Sequence, residues 1–153
     1  MHIPDGFLDA KAWVTTSAAG AGVLAYALRR SKLTLSRREV PKLALVGAFI
    51  FAAQMMNFPI AGATSGHFLG GTLASILFGP LIGIVLMSAV LIVQAFIFQD
   101  GGITVLGANI LCTGVIGCLI GYAIHAAFAK LLGLGRGMAM TVVTFLAAWS
   151  SIV

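Results

Sequence analysis

Charge is what this sequence has least of. Only 8% of its residues are charged, against about 25% in soluble domains, while 60% are hydrophobic. A soluble fold of 153 residues has too little interior to hide that much apolar surface, so lipid must be the solvent for much of the chain. Carboxylates are scarce, with four in all. None is expected mid-membrane, and neither HExxH nor GxSxG accompanies them, which argues against a membrane hydrolase. No GxxxxGK[ST] occurs, so the chain cannot bind ATP through a P-loop. The two cysteines, Cys112 and Cys118, stand about 240° apart around a helix. They form neither an internal disulfide nor a CxxC-type metal site and read as small packing residues. A basic n-region is missing too: MHIPDGFLDAK carries Asp5 and Asp9 instead, so no signal peptide is expected. Met1 is expected to be kept, because initiator Met is removed before small residues and His2 is large.

The charge that is present is concentrated. Six of the nine Lys and Arg residues lie between Arg29 and Lys42. Beside apolar segments such a cluster reads as a cytoplasmic loop facing anionic lipid, not as a nucleic-acid surface. Apolar segments are expected over about 12–28, 43–58, 68–78, 81–98, 103–128 and 138–153. The third offers only about 16 Å of helix, short of the ~30 Å hydrocarbon core. It is either extended by its flanks or lies tilted between other helices. The fold expected is an all-α polytopic membrane protein, a bundle of about six transmembrane helices in a single domain over residues 1–153. The last segment has no polar cap, so part of the complete protein is expected to lie beyond it. Nineteen glycines fit close helix packing, and Gly107, Gly114, Gly117 and Gly121 recur at helical spacing as a contact stripe.

Topology follows from the basic loop. With Arg29–Lys42 inside, Met1 is outside. The small-residue stretch PIAGATSGH, read as a loop ending at His67, is then also outside. If the third and fourth segments are separate, Asp100 is outside and Lys130 and Arg136 are inside, which agrees with the positive-inside rule; a single crossing over 68–98 would put Lys130 and Arg136 outside, against that rule. Two histidines therefore share the outer face, and one of them is the second residue. Met1-His2 offers a terminal amine, a backbone nitrogen and an imidazole. Bound together, they close a five-membered and a six-membered ring on one metal ion. The backbone nitrogen must lose its proton, which Ni(II) and Cu(II) promote in planar nitrogen fields. His67 is the obvious fourth donor. Taken alone, His67 in a polar loop is more often a hydrogen-bonding residue than a ligand; the pair on one membrane face is what raises the metal reading.

Three blocks add to this. MHIPDGFL, FAAQMMNFPIAGATSGHFLGG and LIVQAFIFQDGGITVLGANI, spread over residues 1–110, resemble the signatures of the CbiM/NikM family. These are the substrate-binding subunits of cobalt and nickel energy-coupling factor transporters. The resemblance implies a bundle of about seven helices with the N-terminus folded in over the metal. It implies Met1, His2 and His67 as ligands and Ni(II) or Co(II) as the transported substrate, with no organic cofactor. The implied partners are a transmembrane coupling subunit, cytoplasmic ATPase subunits and a small additional membrane component. The setting implied is the cell membrane of a prokaryote, multi-pass, with an extracytoplasmic N-terminus. Six segments at most are visible here, a departure that leaves the matched ligands untouched.

A metal-bound imidazole commonly donates its other nitrogen to an acceptor. Asp5, Asn57, Thr64 and Ser65 are candidates for that support, although Asp5 could equally cap the helix after Gly6. Gln94, Asp100 and Asn109 flank the outer loop between the fourth and fifth segments and serve either its backbone or the site. The function expected is capture of Ni(II) or Co(II) outside and delivery inside, driven by partner ATPases. The chain would itself be no enzyme. The alternative is a secondary, ion-coupled metal transporter or channel, which needs ionisable groups near the midplane; the segments offer few.

Overall fold

A computed structural model describes residues 2–34, 36–60 and 64–132. The chain is mostly helical. The first helix, α1 (Ala10–Thr34), is capped by Asp9, whose Oδ1 accepts from the Ala12 amide at 3.0 Å, the usual N-cap-to-N3 bond. Asp5 is thus not the cap of this helix. The second, α2 (Val40–Gln54), carries Pro41 in its first turn, where the missing N–H costs nothing. It stops four residues before the expected Phe58. Pro59 disfavours the helical region for Phe58, its predecessor.

The stretch read as a loop instead forms a short antiparallel hairpin of β1 (Phe58–Ile60) and β2 (Thr64–Gly66). Phe58 pairs with Gly66, Pro59 with Ser65 and Ile60 with Thr64. Strands of three residues have two edges, and edge positions accept proline. His67 follows β2 directly.

The third helix, α3 (Gly71–Phe78), spans about 12 Å and cannot cross a bilayer. It packs against α4 (Pro80–Val93) and α6 (Gly117–Leu132), and its flanks do not lengthen it. Gly79 breaks α3 at a φ of 85°, and Pro80 starts α4. The α4 rod ends in a π-helical turn, Gln94–Phe98. The last rod begins as α5 (Leu106–Asn109), widens into a π-helical stretch at Ile110–Ile116 and continues as α6. Two rods, Pro80–Phe98 and Leu106–Ala127, are long and apolar enough to cross a membrane. Their 19 and 22 residues give about 28 and 33 Å of helix. The helix α2 is apolar but shorter. The sixth expected segment lies outside the described residues.

The core is built from α1 to α4 and the last rod: Ala27, Ile50, Ala74, Met87, Leu91 and Cys118 are all 2% exposed or less. The glycine stripe of the last rod faces two partners, not one. A Cβ at Gly107 would collide with Ser17 of α1, and one at Gly121 with Thr72 of α3, whereas Gly114 and Gly117 meet nothing nearer than 3.7 Å. Backbone-to-backbone approach is what glycine contributes in such bundles. The α5–α1 contact matters most for function, because it holds the start of the last rod beside the N-terminal segment.

Candidate metal centre

Residues His2 to Asp5 run as a strap across the turn that follows α4. The strap is tied at three places. Ile3 is held by Asn109 of α5 on both sides of its backbone. Its N–H donates to Asn109 Oδ1 at 2.9 Å, and its carbonyl accepts from Asn109 Nδ2 at 3.1 Å. The same carbonyl accepts from the Gly102 amide at 2.9 Å. Further along, the Asp5 carboxylate caps the turn into α5. Oδ2 accepts from the Ile103 amide at 3.2 Å, and Oδ1 accepts from the Thr104 amide at 2.9 Å and from the Thr104 hydroxyl. The Thr104 hydroxyl, followed by these backbone amides, holds the Asp5 carboxyl below its usual 3.8.

Glycine makes the close approach possible. Gly101 has a φ of 109°, which side-chain-bearing residues rarely adopt, and a Cβ there would stand 2.8 Å from His2 Cβ. A Cβ on Gly102 would run into Asp5. The strap and the turn therefore pack backbone on backbone.

The strap delivers His2 into the protein, where only 7% of it stays exposed. Its ring centroid lies 5.3 Å from that of His67, with the planes 49° apart. Two imidazoles on one ion, with metal–nitrogen bonds of about 2.0–2.1 Å, have centroids roughly 4.5 Å apart at adjacent corners and roughly 6.3 Å apart at opposite ones. The observed separation falls between, within a small ring rotation of sharing an ion. His67 Nδ1 lies 3.0 Å from the Phe68 carbonyl oxygen. A carbonyl only accepts, so Nδ1 carries the proton and Nε2 keeps its lone pair. That is the state of a metal-ready histidine with its outer nitrogen anchored.

Neither ring nitrogen of His2 has a hydrogen-bond partner among the described residues. Asp100 Oδ2 is 3.5 Å from Nδ1, beyond hydrogen-bond range. Burial pushes the His2 imidazole below its usual 6.5, against the pull of the Asp100 carboxylate. At neutral pH the ring is therefore unprotonated and able to donate a lone pair. Buried polar atoms normally find partners, so two such nitrogens on one ring point to a ligand.

The candidates named from sequence separate here. His2 and His67 come together. Met1 lies outside the described residues. Asp5 supports the strap through Ile103 and Thr104. Asn57 is exposed, and among the described residues no hydrogen bond ties it to the site. Thr64 and Ser65 contribute backbone to β2, and their side chains lie outside the description. Among the described residues no three His, Cys, Asp or Glu side chains converge on one point. Asn109, left open between backbone and site, serves the strap. Its sequence signal is only that it is polar in an apolar rod.

Asn109→Leu tests the strap. It removes two hydrogen bonds worth about 0.5–1.5 kcal/mol each, so docking should weaken roughly 5- to 150-fold. Hydrogen exchange at the Gly102 amide, which is bonded to Ile3, reads this directly. Unchanged protection there would show that Asn109 does not hold the strap.

Residues 2–153 match the family described as the cobalt uptake substrate-specific transmembrane region. A Haloquadratum walsbyi protein named for metal transport is 41% identical over 152 residues, covering 99% of this chain and 66% of that protein. The fused nickel transport protein of Rhodobacter capsulatus is 39% identical over 126 residues, 82% of this chain and 36% of that protein. The chain thus spans just under two thirds of the first of these relatives and about a third of the second. A solved transition metal transporter superposes with a TM-score of 0.85 at 31% identity, over 99% of this chain and 66% of the other.

Proposed function

Because the chain belongs to the family of cobalt uptake substrate-specific transmembrane regions, we propose that it binds Ni(II) or Co(II) on the extracytoplasmic side of the cell membrane of a prokaryote. It delivers the ion inward as the substrate-specific component of an ATP-driven energy-coupling factor transporter. The proposed ligands are the Met1 amine, the backbone and imidazole nitrogens of His2, and His67. One observation carries this reading: a buried His2 whose two ring nitrogens have no hydrogen-bond partner among the described residues, held 5.3 Å from the ring of His67. Four nitrogens in a plane suit Ni(II), and the same donors accept Co(II).

The chelate explains why the strap is tied so closely. In it the His2 backbone nitrogen sits between amine and Nδ1, which leaves the corner next to Nδ1 for His67. Only a strap of fixed register presents all three donors to that corner. Loss of the amide proton makes binding pH-dependent, favouring capture at neutral or higher pH. The basic stretch from Arg29 to Lys42, which the structure divides between the end of α1, the link to α2 and the first turn of α2, is assigned to the cytoplasm by the positive-inside rule, and the strap by the same rule to the outside. Energy comes from ATPase partners through a transmembrane coupling subunit, with a small additional membrane component completing the complex.

Two measurements test this. Isothermal titration of Ni(II) and Co(II) on protein with its native start should give one ion per chain. Uptake in cells should then stop when the partner ATPases carry inactive nucleotide sites. Uptake that survives ATPase inactivation would instead identify an ion-coupled carrier.

A further inference from the structure

Two buried amides lie behind the histidines. Gln54 closes α2 and is 1% exposed; Gln94 opens the π-helical turn after α4 and is 0% exposed. An amide inside apolar helices is costly unless its groups are bonded. Gln94 Nε2 donates to Gln54 Oε1 at 2.9 Å. Gln54 Nε2 in turn donates to the Leu69 carbonyl at 2.7 Å. Leu69 is two residues past His67, so the relay ends on the segment that carries this histidine. Its neighbour Phe68 supplies the carbonyl that anchors His67 Nδ1.

The main chain of Gln94 reaches the opposite wall. Its carbonyl accepts from the Asp100 amide at 3.1 Å. Asp100 faces His2, and Gly101 backs against His2 Cβ. One residue thus ties the wall bearing His67 to the wall on which His2 rests. Gln94 Oε1 has no partner among the described residues. The helix turn it opens is π-helical, a widening often found at functional sites.

We propose that Gln94, acting through Gln54, is a positioning residue that sets the separation of His2 and His67 and with it the geometry of the metal plane. The proposal rests on these two histidines being ligands. The side-chain relay fixes Leu69 and hence the Phe68 carbonyl that orients His67. The main-chain bond fixes Asp100 and the turn beneath His2. An apolar side chain at position 94 breaks the first tie and leaves the second, so the two walls lose their common register while both remain folded.

The test uses the full chain with its native N-terminus in lipid nanodiscs. Wild type, Gln94→Leu, Gln54→Leu and the double variant are compared by Ni(II) titration, Ni(II) absorption spectrum and thermal midpoint. Supports of a metal-bound histidine are worth about 10- to 100-fold in affinity, and a loss of that size is expected in both single variants. The Ni(II) ligand-field band should move to longer wavelength in each as His67 gives way to water. The double variant should lose no more than either single one, because one relay is being cut. A Gln94→Leu protein with wild-type affinity and spectrum overturns the proposal, and so do losses that add in the double variant. A lowered thermal midpoint with an unchanged spectrum assigns both amides to packing and also overturns it. If Gln94→Leu does not fold, Gln94→Met and Gln54→Leu cut the same relay with closer volume and decide the matter. If His67→Ala keeps wild-type affinity and spectrum, the ligand assignment itself fails, independently of the glutamines.

Discussion

Protein carrying a single extra residue ahead of Met1 is expected to lose the Ni(II) and Co(II) site that His2 shares with His67, so that His67→Ala, which abolishes tight binding in the native chain, no longer changes its affinity. The reason is covalent geometry. In the native chain the Met1 amine is separated from the His2 nitrogen by two atoms, and the metal closes a five-membered ring. One added residue turns that amine into an amide and places the new amine a residue further out. His2 then has two amides before it, and the new amine, both amide nitrogens and Nδ1 can fill all four corners of the plane, which leaves none for His67. The packing that buries His2 has no slack to compensate, because Gly101 already stands where a Cβ would be 2.8 Å from His2 Cβ. Titration of proteins released with and without the extra residue, by a protease that leaves a native Met1, decides this. Each is titrated with and without His67→Ala, and an extended protein whose binding still depends on His67 would sink the chelate and move the site to side chains alone.

The second large effect is expected at the two histidines. His2→Ala removes the imidazole and with it the six-membered ring. What remains, an amine and an amide, cannot displace the amide proton at neutral pH, because that step needs an anchor on each side. Tight binding should be abolished. His67→Ala leaves the three donors of the strap and opens the fourth corner to water. Tight binding is expected to be lost there as well, with a residual weak site whose Ni(II) spectrum shows a weaker ligand field. The two variants should differ in one respect. His2→Ala should raise exchange at the Gly102 amide, since the buried ring packs against Gly101, whereas His67→Ala should leave the strap docked. If either variant binds Ni(II) as tightly as wild type, that histidine is not a ligand.

Much of the fold was legible in the residues because the signals are local. The break at Gly79-Pro80 and the short third helix each need only a few neighbours to be read, and the low charge content required lipid without any contact being known. Where local reading failed, a non-local partner had intervened. Asp5 sits just ahead of a helix, so a cap was open as a reading; Asp9, directly before Ala10, is four residues nearer and takes that role. Asp5 is left to bind a turn 98 residues away. Phe58 looked helical by apolarity, but the proline after it and pairing with Gly66 drew it into a strand.

What the sequence determined by itself is the kind of molecule and the donors it can offer. Sparse charge and long apolar runs require a membrane-embedded helical chain, and an amine, an amide and an imidazole in two consecutive residues are a chelate wherever they occur. What only the tertiary structure decided is which groups meet. His2 and His67 are 65 positions apart, and no period in the chain links them. Their rings come within 5.3 Å because Asn109 clamps the backbone of Ile3 and because two glycines let the strap lie on the turn. The Gln94–Gln54–Leu69 relay was equally invisible, since a hydrogen bond between distant residues depends on the packing of whole helices and leaves no mark on the sequence around it.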